Sequence, residues 1–255
     1  MKRLILGDIH GHWYTAYNIY EKEKPEVVIL LGDYVDGFKH NKPEDSKECI
    51  DKLIKLRNSH IEKYGKDSFI MLVGNHDYHY IQGGERYSGY NHGTYLLCGK
   101  LLQEMLNENT LQFIYVDRKN KSIYSHAGIS NTWYNSEVGK DTQLEEINDK
   151  VPAQSYVFTW LGGDMHGDSI YSSPIWIRPF SLGKDQLLVD GEEWRQVVGH
   201  TQTEKILDFN ILKFTSFKEH CNMILCDCLP HEYMVETIDD NGIITNIEYK
   251  EYERV

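Results

Sequence analysis

The sequence has no apolar run that approaches the roughly 20 residues needed for a transmembrane helix. Its first apolar run, Leu4–Leu6, is followed directly by Gly7 and Asp8 and is too short for the core of a signal peptide. Both absences predict a cytoplasmic protein that has no membrane partner.

Basic residues are scarce, because 27 Lys and Arg stand against 39 Asp and Glu and leave a formal net charge of −12. A general nucleic-acid-binding protein needs a basic face that displaces counterions from phosphates. The composition therefore argues against stable nucleic-acid binding. The length of 255 residues, of which 40% are hydrophobic, predicts one domain, 1–255, with a substantial core.

The five cysteines are an odd number and lack the spacing of a disulfide framework or a zinc knuckle. Cys221, Cys226 and Cys228 lie closest together, and the residues between the first two are mainly apolar. We expect all three to be small buried side chains in a reduced protein.

The first third of the chain alternates between two kinds of pattern. Short apolar runs at Lys2–Leu6, 27–31 and 68–73 each end at a glycine and predict buried strands. Residues 12–24 and Pro43–Tyr64 between them have helical spacing. This β-α-β-α-β order predicts a mixed or parallel sheet that is covered by helices.

The rest of the chain gives weaker patterns. We predict a helix at 96–106, a hairpin of 112–116 with Ser122–Ser125, and a surface segment of helix or loop at 132–149. A second set of strands is predicted at Arg195–Val198, 222–227, 233–238 and 243–249. Histidines outside the motifs described next, among them His60, are expected in loops or at the surface.

Five short motifs built from Gly, Asp, Asn and His follow one another along the chain. They are Gly7-Asp8-Ile9-His10-Gly11, Gly32-Asp33-Tyr34-Val35-Asp36-Gly37, Gly74-Asn75-His76-Asp77, His126-Ala127-Gly128 and Gly199-His200-Thr201. Most come directly after an apolar run, and the carboxyl ends of strands are where α/β sheets bind ligands. Carboxylate, amide and imidazole donors in such loops suit Mn, Fe or Zn.

The spacing within the motifs indicates a site for two divalent ions. Asp8 and His10 are two residues apart and can reach one cation, and the carboxylate of Asp33 can bridge two. The other candidate ligands are the amide of Asn75 and the imidazoles of His126 and His200. Two such ions, roughly 3.5–4 Å apart, acidify a bridging water to hydroxide and clamp a phosphoryl group for in-line attack.

As an ordered set that spans positions 7 to 201, the motifs resemble those of the calcineurin-like metallophosphoesterase superfamily, and within it the phosphoprotein-phosphatase branch. The resemblance implies a four-layer αββα sandwich, in which helices flank two mixed β-sheets. It also implies hydrolysis of phosphate monoesters in the manner of a serine/threonine protein phosphatase, without a covalent phospho-enzyme.

The resemblance also assigns roles to individual residues. It gives Asp8, His10 and Asp33 to one metal ion and Asp33, Asn75, His126 and His200 to the other. His76 would be the general acid for the leaving oxygen, and Asp36 would orient it. Asp77 is expected to support this loop rather than to bind metal.

The second motif departs from the family pattern, because Gly37 follows Asp36 where these phosphatases usually carry a phosphate-clamping arginine. Trp176-x-Arg178 resembles a segment of small bacterial and bacteriophage phosphatases, which makes Arg178 the best candidate for binding and stabilising the phosphate, with Asn75 also near the substrate. Arg86 either replaces the absent arginine or is a solvated loop residue.

The last motif also departs from one branch of the superfamily. Nuclease-like and cyclic-phosphodiesterase-like members usually end in Gly-His-x-His, and the second imidazole binds the first metal ion. Here Gln202 takes that position, which favours the phosphomonoesterase branch. The segment from Tyr78 to Tyr95 is predicted to be a loop beside the site, where its tyrosines either stack on a nucleobase or pack on their own domain.

Two alternatives remain open at this point. The substrate is either a phosphoprotein or a nucleotide, and a symmetrical dinucleoside polyphosphate such as diadenosine tetraphosphate is the main alternative within the same chemistry. A non-catalytic metal-binding protein is the alternative from another class, and its only support is the missing arginine.

Overall fold

The computed structural model describes residues 1–37, 42–81, 86, 89–139, 142–150, 158, 168–211 and 221–253. Its strands are β1 (Lys2–Leu6), β2 (Val27–Leu30), β3 (Phe69–Leu72), β4 (Leu111–Gln112), β5 (Ile114–Asp117), β6 (Ser122–Ser125), β7 (Leu188–Val189), β8 (Glu192–Glu193), β9 (Arg195–Val198), β10 (Leu207–Asp208), β11 (Met223–Leu225), β12 (Glu232–Ile238) and β13 (Ile244–Glu251). Its α-helices are α1 (Trp13–Glu23), α2 (Pro43–Tyr64), α3 (Asn75–Tyr78), α4 (His92–Thr94), α5 (Lys100–Asn107), α6 (Asn131–Trp133), α7 (Ile147–Lys150) and α8 (Pro179–Lys184). π-Helical segments at Tyr95–Gly99 and Tyr134–Val138 continue α4 and α6, and 3₁₀ turns lie at Lys66–Ser68 and Leu144–Glu146.

The strands form two mixed sheets, as predicted. The first has six strands in the order β13-β12-β1-β2-β3-β4, and β1 to β4 run parallel to one another. The second has five strands in the order β10-β11-β9-β6-β5, with β6, β9 and β11 parallel. A small hairpin, β7-β8, stands apart from both sheets.

The strands of the first sheet are apolar on both faces because each face is covered. In β1, Leu4 and Leu6 pack with α1 and α2, whereas Ile5 packs between the sheets against Val197 and Ile224 of the second sheet. The outer face of the second sheet packs on α8. The predicted four-layer arrangement of helices, two sheets and helices is therefore confirmed, and continuous apolar runs are what such doubly covered strands require.

A buried charge network ties the two sheets together at the end where β1 and β9 begin. Glu236 of β12 is fully buried and accepts hydrogen bonds from Arg3 at 2.9 Å and from Arg195 at 2.6 Å. The hydroxyl of Tyr124 donates to the same carboxylate, and Arg3 also binds Asp117. Each of these buried charges has a partner, which keeps the sheets in one relative position.

Several sequence predictions need correction. β12 pairs with β1, and β13 with β12, so both belong to the first sheet rather than to a set with β9 and β11, and Gln112 belongs to β4 rather than to the β5-β6 hairpin. The segment 132–149 is anchored by buried Trp133, Leu144 and Ile147 rather than lying on the surface. His60 is buried on α2 and bonds to Tyr20. In each case long-range pairing decides the position, and the local pattern does not contain it.

Cys221, Cys226 and Cys228 are buried, as expected, and so are Cys49 and Cys98. Burial raises the pKa of each thiol above its ordinary value, to about 12 for Cys221 and Cys228, which keeps them protonated and unreactive. Among the described helices, none combines the length and apolar character needed to cross a bilayer.

Glu23, at the end of α1, links the helix layer to the edge of the first sheet and should make stability depend on pH. Burial alone would raise the pKa of Glu23, but hydrogen bonds from Lys2, Lys250 and Tyr233 outweigh it and lower the pKa below 4.5. A carboxylate with a lowered pKa stabilises the fold above about pH 4.5, and this contribution is lost as the pH falls through the folded-state pKa. Glu23→Gln should lower the free energy of unfolding by about 1–2 kcal/mol at pH 7.

Urea unfolding at pH 7 and at several lower pH values checks this, because the gap between wild type and variant should shrink below pH 4.5. Glu248→Gln is the matched control, since Glu248 is 45% exposed and pairs with Lys250 at 3.6 Å. Its effect should stay within about 0.5 kcal/mol. A gap for Glu23→Gln that does not change with pH would contradict the role of the charge.

Candidate metal and catalytic site

The five motifs all follow the ends of parallel strands. Those around Asp8, Asp33 and Asn75 follow β1, β2 and β3, and those that begin at His126 and contain His200 follow β6 and β9. Because the two sheets are stacked, these ends meet at one edge of the sandwich. The side chains are nearly all buried there, with 8% or less of each of the five exposed.

Asp33 lies at the centre of this edge. Its Oδ2 is 3.6 Å from Nε2 of His10 and 3.5 Å from Nε2 of His126, while its Oδ1 accepts a hydrogen bond of 2.8 Å from the backbone N–H of His76. It belongs to two groups whose donor atoms all lie within 4.8 Å of one another. These groups are Asp8, Asp33, His126 and His10, Asp33, His76. A carboxylate shared between two groups is what a bridging ligand requires.

Each imidazole predicted as a ligand turns one ring nitrogen toward a backbone carbonyl. The pairs are His10 Nδ1 with Val35 O at 3.0 Å, His126 Nδ1 with Leu31 O at 2.9 Å, and His200 Nε2 with Trp176 O at 3.1 Å. Because a carbonyl only accepts, the ring nitrogen that faces it donates, and the opposite nitrogen carries a lone pair into the site. This is the tautomer that metal-binding histidines use.

The amide oxygen of Asn75 lies 2.9 Å from Nε2 of His126 and 2.9 Å from Nδ1 of His200. Burial lowers the pKa of both imidazoles, so they are neutral. Three atoms that carry lone pairs therefore converge where none of them can donate to another. A cation satisfies all three at once, and the donor set of nitrogen and oxygen fits Mn, Fe or Zn.

Glycines bring the carboxylates close to neighbouring backbone. An added Cβ at Gly74 would lie 2.0 Å from Oδ1 of Asp33, and one at Gly199 would lie 2.2 Å from Oδ1 of Asp8. The N–H of His200 then donates to both oxygens of Asp8 at 3.1 Å. Each of these two glycines therefore makes room for the carboxylate of a different motif.

His76 and Asp36 form a hydrogen-bonded pair of 3.0 Å between Nδ1 and Oδ2. Burial would lower the pKa of His76, but the charges of Asp33 and Asp36 outweigh it and raise the pKa to about 9. His76 therefore carries a proton at neutral pH and presents Nε2–H on the side away from Asp36. A positioned imidazolium of this kind can protonate a leaving group.

Two residues that the sequence analysis did not single out complete the environment of Asp36. Nε2 of His79 donates to Oδ2 at 2.8 Å, and the hydroxyl of Tyr80 donates to Oδ1 at 2.6 Å. Burial would raise the pKa of Asp36, but these bonds and the one from His76 lower it. Asp36 is thus held as an ionised, fixed partner of His76.

Asp77 supports the loops, as expected, and is fully buried. Its carboxylate accepts hydrogen bonds from the backbone N–H groups of Asp33, Tyr34 and Gly74, all at 2.8 to 2.9 Å. It therefore fastens the second motif to the third.

The backbone is strained at the site. His10, Asp33, Asp36 and His200 have φ of 41°, 52°, 59° and 63°, in the left-handed region that non-glycine residues rarely adopt. Such conformations cost of order 1–3 kcal/mol each and persist where the surroundings hold them. Four other non-glycine residues with positive φ, namely Lys24, Asn109, Lys121 and Asp190, lie at the ends of separate helices and in separate turns, whereas these four belong to one predicted site.

The two candidate arginines differ in their surroundings. Arg178 is half-buried beside the last motif, and its Nη1 donates to the carbonyl of His200 at 2.9 Å and to Oγ1 of Thr201 at 3.1 Å. Arg86 is exposed and stacks over the ring of Tyr90 at 4.9 Å. Only Arg178 is therefore held against a predicted metal ligand.

The segment from Tyr78 to Tyr95 does lie beside the site, although part of it falls outside the described residues and its end forms α4. An added Cβ at Gly89 would lie 3.1 Å from the His76 ring, and the ring of Tyr90 stacks on that of Tyr80 at 5.3 Å. Tyr80, which donates to Asp36, and Tyr90, which stacks on Tyr80, thus pack beside the His76–Asp36 pair, whereas Tyr78 packs in the core against Phe113 and Phe158.

Asp227, which follows β11 and is 8% exposed, was not predicted as a site residue. Its carboxyl is in hydrogen-bond contact with that of Asp8. Burial and the charge of Asp33 raise the pKa of Asp227 to about 6, and burial together with the charges of Asp227 and Asp33 raises the pKa of Asp8 well above its ordinary value. Carboxyls crowded in this way are relieved by a bound cation.

Fold and site together define a class of protein, a hydrolase that acts on phosphoesters through a site that can hold metal ions. The model of the calcineurin-like phosphoesterase family matches residues 1–222, and this chain belongs to that family. The family depends on a dinuclear metal site, and the acidic and histidine groups found here can bind metal.

One curated relative and one solved structure illustrate what this chain is similar to. The symmetrical bis(5'-nucleosyl)-tetraphosphatase of Buchnera aphidicola subsp. Acyrthosiphon pisum is 29% identical over 164 residues, which cover 61% of this chain and 54% of the relative. The chain thus spans about half the length of the curated relatives that it matches. A protein serine/threonine phosphatase from Saccharomyces cerevisiae superposes with a TM-score of 0.59, 12% identity, and coverage of 100% of this chain and 80% of that one. The likeness to the yeast phosphatase structure shows that the two chains share a fold.

Proposed function

We propose that this chain hydrolyses phosphate monoesters in the manner of a serine/threonine protein phosphatase. The observation that carries the proposal is the combination of a buried, lone-pair-lined centre around Asp33 with the charged His76–Asp36 pair next to it. A protein that only binds metal has no use for a positioned acid, which argues against the non-catalytic alternative.

Asp8, His10 and Asp33 would hold one metal ion, and Asp33, Asn75, His126 and His200 the other. When bound, the two ions supply Lewis-acid polarisation of the phosphoryl group and activation of the attacking water. The protein keeps three imidazoles in the ligand tautomer through the carbonyls of Val35, Leu31 and Trp176. That orientation exists before any substrate arrives, and it lowers the cost of assembling the site.

His76 would give its Nε2 proton to the leaving oxygen as the phosphorus–oxygen bond breaks. Asp36 fixes the ring through Nδ1 and stabilises its positive charge, and His79 and Tyr80 fix Asp36. The proton thus sits on a ring that cannot rotate away from the site. This geometry supports a general acid whose effect is largest for poor leaving groups.

Arg178 would bind a phosphate oxygen of the substrate. Its Nη1 donates to the carbonyl of His200 and to Oγ1 of Thr201, which places the half-buried guanidinium beside a proposed ligand of the second metal ion. Arg86 stays a weaker candidate, because it stacks on Tyr90 at the surface. With Gly37 in the second motif, Arg178 is the main protein cation proposed to neutralise the substrate.

A second candidate substrate is a symmetrical dinucleoside tetraphosphate. Its support is the 29% identity to the bis(5'-nucleosyl)-tetraphosphatases and a cavity of about 700 Å³ beside Asp8 and His10, which is also lined by Trp13. A cavity of that size accepts a nucleotide, and an aromatic ring at its wall can stack on a base. The chemistry at phosphorus would use the same residues.

Parallel assays with Mn²⁺ separate the two substrates. Phosphate release from a phosphoserine peptide and chromatography of a diadenosine tetraphosphate digest are compared by kcat/KM at equal enzyme concentration. We expect the phosphopeptide, or an aryl phosphate, to be the better substrate. Faster cleavage of diadenosine tetraphosphate to two diphosphates would overturn that order, and no turnover of either, with metal bound, would refute the enzymatic proposal.

A further inference from the structure

Asp227 belongs to none of the five motifs, yet it lies at the same edge of the sandwich as the predicted ligands. We propose that Asp227 is an additional ligand of the first metal ion, beside Asp8, His10 and Asp33. This rests on the two-metal site of the proposed function and adds to its ligand set.

The backbone places Asp227 at the end of a strand that runs beside β9. β11 runs parallel to β9, with Leu225 paired with Val198, and the N–H of Cys226 donates to the carbonyl of Val198 at 2.7 Å. Continued by two residues, this register brings Asp227 level with His200. Asp227 therefore follows the end of β11 in the same way that His200, a predicted ligand, follows the end of β9.

The backbone that carries Asp227 also contacts the first motif. An added Cβ at Gly7 would lie 2.0 Å from the carbonyl oxygen of Cys226 and 3.1 Å from Cα of Asp227. Since glycine has no side chain, the backbone before Asp8 touches the backbone that carries Asp227. The two carboxyls meet in hydrogen-bond contact as a result.

The side chain of Asp227 is mostly buried and lies near other carboxylates. It is 8% exposed and lines the same cavity as Asp8 and His10. With Asp33 nearby, three carboxylates share one mostly buried volume. Burying like charges together is costly unless a cation neutralises them, and a divalent ion between Asp8 and Asp227 does so directly.

The two proposed metal ions differ in the number of ligands that the motifs supply. The motifs supply four protein donors to the second metal ion but three to the first, because Gln202 stands where other branches carry an imidazole. Gln202 lines the same cavity as Asp227. A carboxylate from β11 would thus supply the donor that the last motif lacks, and it would shift the set toward oxygen, which favours Mn over softer ions.

Metal binding without any substrate tests the inference. Isothermal titration with Mn²⁺ and metal analysis after gel filtration should give two ions per chain for the wild type. In Asp227→Asn the dissociation constant of one ion should rise at least about 100-fold, while the other ion stays bound. Asp190→Asn is the matched control, since it removes one charge from the exposed turn between β7 and β8 and should bind like the wild type.

Anomalous diffraction from Mn²⁺-loaded wild-type crystals gives a test that needs no variant to fold. A carboxylate oxygen of Asp227 within roughly 2.5 Å of one manganese peak is the expected result. Equal affinities for Asp227→Asn and Asp190→Asn, or a manganese peak out of contact with Asp227, would overturn the inference while leaving the proposed function intact. A wild type that binds no divalent ion would instead refute the metal basis of the function itself.

Discussion

Asp33→Asn should lower kcat/KM for phosphate release at least about a thousandfold and reduce the metal content from two ions per chain. The reason is that Oδ2 of Asp33 lies 3.6 Å from Nε2 of His10, a proposed ligand of the first ion, and 3.5 Å from Nε2 of His126, a proposed ligand of the second, so one substitution weakens both sites. A metal pair contributes several kcal/mol to the stabilisation of the transition state, and about 4 kcal/mol corresponds to a factor of a thousand.

Asparagine is the suitable replacement because its amide oxygen can still accept the 2.8 Å hydrogen bond from the N–H of His76. The loop should therefore keep its conformation, which circular dichroism and thermal unfolding can check. Asp190→Asn makes the same chemical change at an exposed turn and should leave both activity and metal content unchanged. Activity within tenfold of wild type in a well-folded Asp33→Asn variant would contradict a bridging role for this carboxylate.

The part of the site that could be predicted from the sequence follows a simple physical rule. Asp8, Asp33 and Asn75 each come directly after a glycine that ends a short apolar run, and the structure has strands there that run parallel in one sheet. Parallel strands end at a common edge, so residues at their ends must meet. The same runs predict a sheet that is covered by helices, since strands without a polar face need cover on both sides, whereas the second sheet and the four layers were implied by the resemblance of the motifs.

Asp227 could not be found in this way. β11 has three residues, and the residue that follows it is Cys226 rather than glycine. The glycine that makes room is Gly7, which lies in another strand loop more than 200 positions away in the chain. A close approach that depends on a distant glycine leaves no local signal beside the residue that benefits from it.

His79 and Tyr80 were missed for another reason. They lie at the start of the segment from Tyr78 to Tyr95, whose many tyrosines and glycines give no period. Both bond to the carboxylate of Asp36, 43 and 44 positions earlier in the chain. The contact is therefore created by tertiary packing, and an aromatic-rich sequence is equally compatible with stacking on a ligand.

The pairing of strands also could not be predicted from the local sequence. β12 and β13 have patterns as clear as those of β9, yet they join the edge of the first sheet through β1. Glu236 on β12 explains part of the preference, because its carboxylate reaches Arg3 of β1 and Arg195 of the second sheet. A charged residue in the middle of an apolar strand indicates a buried partner but does not name it.

His76→Asn should lower kcat by a factor of about 10² to 10⁴ for a phosphoserine peptide, whose alkoxide leaving group needs a proton. The loss should be much smaller for p-nitrophenyl phosphate, because nitrophenolate leaves without one. The metal content should stay at two ions per chain, since His76 is not assigned as a ligand. The contrast between the two substrates is the informative measurement, because damage to the metal site would reduce both rates alike.

In the structure, the ring of His76 is fixed and protonated, which is why we expect the two substrates to respond differently. The ring is fixed by the 3.0 Å bond to Asp36, and the neighbouring carboxylates raise the pKa of His76 to about 9, so the proton is present at neutral pH. Asparagine keeps a polar group toward Asp36 but has no acidic proton to give. His92→Asn, at an exposed position in α4, is the control and should leave both rates unchanged. An equal loss for both substrates in His76→Asn, or a loss of bound metal, would assign His76 to the metal site and leave the general acid to be found elsewhere.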